Sequence, residues 1–210
     1  MTDLRLPSDM AELRFALGEI VAQGREHAPY FTVLLSAKHG LTIQIDNREE
    51  HVVERTPSAG TVLSAFDGNT IYEKAISGCR QNEVQKAAQE LVREARFADY
   101  TPSHEPQRSG DYSTTMQIDP ADLSVEEKLD RCRELHRQLK GRDPRIVNVQ
   151  VRYLELSEHA VFASQYADLA QRVQRVNLFL VVVVSGEDGQ IQYDYTSKSG
   201  SAGWEVLTFT

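Results

Sequence analysis

What this chain has little of narrows it first. Cysteine is scarce: Cys79 and Cys132 are the two, far apart in sequence. They cannot build the dense disulfide framework of a small secreted domain. The N-terminus, Met1-Thr2-Asp3-Leu4-Arg5, lacks the charged-then-apolar layout of a secretory signal. Together these features predict free thiols in a cytoplasmic protein. Long apolar runs are missing: the longest, residues 178–184, falls far short of the roughly 20 residues that a membrane-spanning helix needs. A basic excess is missing too. Lys and Arg number 23 against 31 Asp and Glu, a net charge of −8, which argues against a phosphate-neutralising face and so against nucleic acid as a direct partner. What remains is ordinary for a globular chain, 40% hydrophobic and 26% charged over 210 residues, long enough for one large domain or two small ones.

Periodicity then divides the chain. Met10, Leu13, Leu17, Ile20 and Val21 recur at helical spacing and predict a helix over residues 9–25, with Ser8 as N-cap and Pro29 blocking extension. The period changes to two at Leu41, Ile43 and Ile45. Strands are predicted there, at 51–55 with Pro57 ending the run, and at 61–66 and 70–76 around an Asp67-Gly68-Asn69 turn. A helix over 83–97 follows. Residues 99–121 lose all periodicity and read as a linker or long surface loop. Ser124-Val125-Glu126-Glu127 is a capping box, opening a helix that stops at Gly141 and Pro144. Strands are then expected at 147–153, 158–164, 169–176, 178–184 and 191–196, with Gly186-Glu187-Asp188-Gly189 as a hairpin turn.

The two halves repeat their landmarks in order. Pro29 and Pro144 precede first strands, Asp67-Gly68 and Asp188-Gly189 sit in late turns, and Ser77-Gly78 and Ser199-Gly200 close each half, at offsets of 115 to 122 residues. The expected fold is α+β, with two related modules, each a helix packed on an antiparallel sheet. They occupy residues 1–98 and 122–210, separated by 99–121.

The residues yield no convincing chemistry. His27, His39, His51, His104, His136 and His159 form no H-E-x-x-H and pair with no cysteine at zinc-finger spacing. His39 and His51 could approach across neighbouring strands, and His104-Glu105 opens like a zincin motif without its second histidine. Cys79 precedes a helix, where the dipole could activate a thiol, and Cys132 falls on an apolar stripe. Ser199-Gly200-Ser201-Ala202-Gly203 is the one glycine-rich loop, but no lysine follows at the Walker position. Glu49-Glu50 cannot share one face of a strand, and Glu126-Glu127 complements a helix dipole. Arg142, Arg145, Arg152, Arg172 and Arg175 are diluted by acids. Catalytic, cofactor and metal residues are therefore expected to be none.

Certain stretches resemble the N-terminal portion of the TldD/PmbA family, metallopeptidases historically named modulators of DNA gyrase. They are Tyr30-Phe31-Thr32-Val33 after the first helix; Ser77-Gly78 before the second; Asp119-Pro120 and Ser124-Val125-Glu126-Glu127-Lys128; Val149-Gln150-Val151-Arg152-Tyr153; and Ser199-Gly200-Ser201-Ala202-Gly203-Trp204-Glu205. The resemblance covers nearly the whole chain. Ala65-Phe66-Asp67 departs from it, standing where the family commonly has a glycine-rich strand. The resemblance implies a zinc site on an H-E-x-x-x-H helix in a further C-terminal domain, with nothing matching it here. It also implies a non-catalytic scaffold that admits a peptide or protein substrate and contacts a homo- or heterodimeric partner in proteolysis or peptide maturation. Two alternatives stand beside it: a free-standing peptide- or protein-binding module, and an enzyme with its own site around Cys79.

Overall fold

The apolar stripe of α1 (Ser8–Arg25) buries Met10, Leu13, Leu17, Ile20 and Val21, as its spacing requires. The structure, a computed structural model, describes residues 3–207. Ser8 is the first helical residue and Pro7 stands at the cap position, its carbonyl accepting from the Ala11 N–H. After Pro29 comes β1 (Tyr30–Ile45), with Phe31, Val33, Leu35, Leu41, Ile43 and Ile45 all buried on one face. Strand β2 (Glu50–Phe66) runs straight through Pro57, where the sequence predicts an end. The next strand explains why. β3 (Ile71–Ser77) pairs only with Gly60–Phe66, so Pro57 lies where the outer side of β2 has no partner strand to miss its N–H. The intervening turn holds Gly68 at φ +88°, a conformation that favours glycine. Helix α2 (Gln81–Glu94) begins two residues earlier and ends three residues sooner than predicted.

The aperiodic stretch is not wholly loop. It contains β4 (Arg108–Ser113), a short strand parallel to part of β6, and a 3-10 turn at Pro120–Asp122. Nearly every β4 residue is exposed, so it carries no alternating signal. α3 (Val125–Lys140) starts at the predicted capping box: Ser124 Oγ accepts from the Glu127 N–H at 3.2 Å and the Glu127 carboxylate accepts from the Ser124 N–H at 2.8 Å. The remaining strands are longer than expected. β5 (Ile146–Ser164) and β6 (Ala167–Ser185) have 19 residues each and replace four predicted pieces. β7 (Ile191–Gly200) returns along β6, and a 3-10 turn at Trp204–Leu207 follows.

Among the described residues the fold is α+β, with three helices and a seven-stranded, mostly antiparallel sheet. Its order is β3-β2-β1-β5-β6-β4, with β7 also paired to β6. Two compact units emerge, and they cut across the division of the chain at 99–121. One gathers the chain up to Lys38 with Pro57–Ser113 and Glu158–Arg172; the other gathers His39–Thr56, Thr114–Ser157 and the chain from Val173 onward. In the first, α1 and α2 cover Phe31, Val33, Leu35, Leu63 and Val161. In the second, α3 and Trp204 cover Ile43, Val151, Tyr153, Val176 and Leu178. Each unit thus has its own apolar core, removed from water by helices on one sheet face. No helix among the described residues is long and apolar enough to cross a membrane.

Candidate functional site

In the second unit, strand alternation turns one set of side chains into the α3-covered core and sets the other set on the opposite face. On that face lies a cleft of about 460 Å³. Leu154 and Leu156 of β5 line it, with Arg55 of β2, Arg175 and Asn177 of β6, and the Ser199-Gly200-Ser201 run at the end of β7. Asn177 Nδ2 donates to Ser199 Oγ at 2.5 Å, tying β6 to β7 at its rim. Gly40 of β1 also lines it: any Cβ there would stand 2.5 Å from the Glu155 carbonyl oxygen, so close strand approach requires glycine. The cleft offers two guanidinium groups, hydroxyls, an amide and aliphatic side chains. Neither histidine nor cysteine lines it, so it can hold a ligand but presents no nucleophile–base pair. The first unit has its own more apolar groove of about 490 Å³, lined by Leu34, Tyr112, Ala160, Phe162 and Leu169 among others.

Behind the cleft, on the core face of the second unit, sits a polar group that sequence reasoning missed. Glu155 accepts from Lys128 Nζ at 2.7 Å on one oxygen and from Tyr153 Oη at 2.5 Å on the other. The Lys128 and Glu155 side chains are only 5% and 12% exposed. Tyr153 packs edge-on against Trp204, ring centroids 4.8 Å apart, and its burial pushes the phenol pKa far up. Two signals were present. Lys128 lies between Val125 and Cys132 on the apolar stripe of α3, and Glu155 continues the alternation Val149, Val151, Tyr153.

The residues singled out from the sequence are dispersed. Cys79 is 3% exposed, near Gly60 O at 3.7 Å and Thr61 Oγ1 at 3.9 Å, and burial raises its pKa above the usual thiol value. Burial pushes Cys132 up to about 12. Glu49 and Glu50 part company: Glu49 pairs with His51 Nε2 at 3.0 Å, raising the histidine pKa, while Glu50 takes the Arg133 guanidinium at 2.8 Å, which lowers its own. Glu126 pairs with Arg133, and Glu127 closes the capping box. His104 rests edge-on against Tyr166, and His136 Nε2 shares a hydrogen bond with Asn47 Oδ1 at 3.1 Å. Arg145 pairs with Asp143, whose pKa the guanidinium holds down at about 2. Among the described residues, no group of three His, Cys, Asp or Glu side chains could hold a metal ion. Of the flagged positions, Glu49 meets His51, Glu50 and Glu126 meet at Arg133, and Arg175 meets the Ser199-Gly200-Ser201 run at the cleft.

Comparison with known proteins now adds to this geometry. Residues 118–210 match the PmbA/TldA metallopeptidase central domain. No curated protein matches the chain in sequence. Among solved structures, the chain is similar to a candidate modulator of DNA gyrase from Bacteroides thetaiotaomicron, with TM-score 0.62 and 13% identity over 93% of this chain and 46% of that one. It is similar to another from Thermotoga maritima, with TM-score 0.66 and 12% identity over 91% of this chain and 44% of that one. TldE from Thermococcus kodakarensis gives 0.57 and 11%, again over 91% and 44%. At such identities the likeness is one of fold, and the chain spans less than half the length of these structures. The resemblance to the TldD/PmbA family read from the sequence is borne out by the central-domain match together with this shared fold.

Proposed function

We propose that this chain acts as the non-catalytic N-terminal scaffold of a TldD/PmbA-like metallopeptidase, admitting an extended peptide substrate and contacting a partner subunit. The observation that carries this reading is the central-domain match over residues 118–210, in a chain that aligns along nine-tenths of its length with less than half of larger proteins. The geometry is compatible with it. Sheet edges at β4 and β7 can add an extended peptide through main-chain hydrogen bonds, and the two grooves can take its side chains. The metal that the family implies has no fitting donor set among the described residues, so no catalytic step is assigned to them.

The purified chain tests this directly. Incubated with zinc and dialysed, it is expected to retain no stoichiometric metal by elemental analysis and to cleave no fluorogenic peptide. It is expected to bind unstructured peptides, with amide-exchange protection at β4, β7 or the strands lining the grooves. Retained zinc or intrinsic cleavage would overturn the non-catalytic role, and absence of peptide binding would overturn substrate admission. A reading as a free-standing binding module shares the metal and peptide results. It differs in predicting no H-E-x-x-x-H segment downstream in the gene or in a neighbouring subunit.

A further inference from the structure

The cleft of the second unit carries positive charge in an acidic chain. The net charge is −8, yet among the described residues Glu155 is the one acidic residue that lines the cleft. Its carboxylate is turned to the core, where Lys128 and Tyr153 hold it. Arg175 stands on one wall and is already engaged within the chain. Arg55 is different. It is exposed, and among the described residues it takes part in no hydrogen bond, ion pair or ring contact, so its guanidinium is open to a ligand. Neighbouring strands set the lining groups in a line, in the order β2, β1, β5, β6 and then β7. At about 4.8 Å per strand the line is roughly 19 Å long, the span of five or six extended residues. Its character changes along the way. Arg55 of β2 comes first. Gly40 and Thr42 of β1 follow, and the missing side chain at Gly40 keeps the floor low. Leu154 and Leu156 of β5 then supply an aliphatic patch. At the far end Asn177 Nδ2 donates to Ser199 Oγ, which leaves the Asn177 carbonyl to accept and the Ser199 hydroxyl to donate. The floor stops at β2, because β3 pairs only with Gly60–Phe66 and no strand among the described residues lies beyond Arg55.

We propose that this cleft captures the free C-terminus of an extended peptide ending in apolar residues, with Arg55 holding the terminal carboxylate. This deepens the substrate-admission part of the proposed function and rests on that part. Three features select the ligand. A guanidinium meets a carboxylate with two parallel N–H bonds and keeps its charge at any ordinary pH. The aliphatic patch lies two strands from Arg55, roughly 10 Å away, where the last side chains of the peptide reach it. The rim of Asn177 and Ser199 both donates and accepts, as a peptide main chain requires, whereas a plain aliphatic acid offers that rim nothing. The end of the floor selects a chain terminus over an internal acidic side chain. An internal residue needs support on both sides of Arg55, and there is strand on one side only.

Isothermal titration of the full chain with three hexapeptides and octanoate tests this. The first peptide ends in Leu-Leu with a free carboxylate, the second is its C-terminal amide, and the third is that amide with an internal glutamate. The free acid is expected to bind about 10-fold or more tighter than the amide, with salt narrowing the gap, and octanoate to bind far more weakly than the free acid. Arg55→Gln is expected to erase the preference for the acid while leaving amide binding within about 3-fold, and Arg55→Lys, which keeps the charge without the fork, to retain part of it. Leu156→Ser is expected to weaken acid and amide alike, because it removes aliphatic contact and no charge. Circular dichroism confirms folding of each variant. An amide that binds as tightly as the acid, an Arg55→Gln chain that still prefers the acid, an internal glutamate that restores full affinity, or octanoate matching the free-acid peptide would each overturn C-terminal capture. Acid and amide bound equally would overturn it and leave the substrate-admission reading standing, whereas no binding of any peptide would overturn both.

Discussion

Replacing Glu155 by glutamine keeps the shape of the side chain and removes one charge from the core of the second unit. In the native protein its two oxygens accept from Lys128 Nζ at 2.7 Å and Tyr153 Oη at 2.5 Å. With Lys128 only 5% exposed, the glutamine variant leaves an ammonium group dry and without a counter-charge. Breaking a buried pair from one side costs about 3–5 kcal/mol, because the remaining charge stays desolvated. At about 2–4 °C per kcal/mol for a chain of this size, the melting temperature should fall by roughly 6–20 °C. Lys128→Met should cost a similar amount by stranding the carboxylate. The double variant Lys128→Met/Glu155→Leu strands no charge. It loses chiefly the Tyr153 hydroxyl partner, about 1–3 kcal/mol. Its loss should therefore fall short of the sum of the single losses, and below either of them. Scanning calorimetry of these proteins, with Glu155→Leu alone as the matching single variant, closes the cycle. Single variants each within about 1 kcal/mol of wild type, or strictly additive losses, would refute a desolvated pair.

Other outcomes follow from the same geometry. Asp67 accepts N–H bonds from Asn69, Thr70 and Ala98, which hold its pKa below the usual carboxylate value. The stability this provides is present above the unfolded-state pKa and is lost as pH falls through the folded one. Asp67→Asn should therefore lower the urea midpoint at pH 7 and lessen the loss of stability below about pH 4; an unchanged acid limb would contradict this. Cys79 and Cys132 should both resist a thiol reagent at pH 8 and both react in urea, because burial raises each thiol pKa; rapid native labelling of Cys79 would revive it as a nucleophile. Ser124→Ala should cost about 1 kcal/mol in chemical denaturation by opening the α3 capping box, with a null effect arguing against the box.

Several elements were legible because local physics decides them. The stripe of α1 and the Ser124–Glu127 box sit where their spacing and caps place them, since burial and N–H satisfaction act within a few residues. β4 was not legible: an almost wholly exposed edge strand needs no apolar alternation, and its partner β6 lies some 60 residues on. Pro57 misled because a proline stops a central strand but is tolerated where one side has no neighbour, and that depends on how far β3 extends. The 19-residue strands looked like separate pieces because polar residues stand at the breaks: Glu155 and Ser157 interrupt the apolar pattern of β5, and Asn177 that of β6. The cleft was invisible for the plainest reason. Arg55, Leu154, Arg175 and Ser199 come from four strands, and only the sheet order brings them to one place.

The groups that elsewhere perform chemistry are here committed to holding the fold. Burial raises both thiol pKa values; Glu50 answers Arg133, Glu127 caps α3, Asp67 gathers three N–H groups, and Glu155 joins lysine to tyrosine. A side chain so engaged would have to leave a partner before it could attack, protonate or ligate anything, and the buried ones would leave that partner unsatisfied. What the fold presents outward is of another kind: the outer main chain of β7, the tyrosines beside it, and two grooves lined by sheet residues. Main-chain edges recognise extended backbone with little regard to sequence, while groove side chains supply the selection. Such an arrangement suits recognition of an extended chain by shape and pairing, the role proposed for it above.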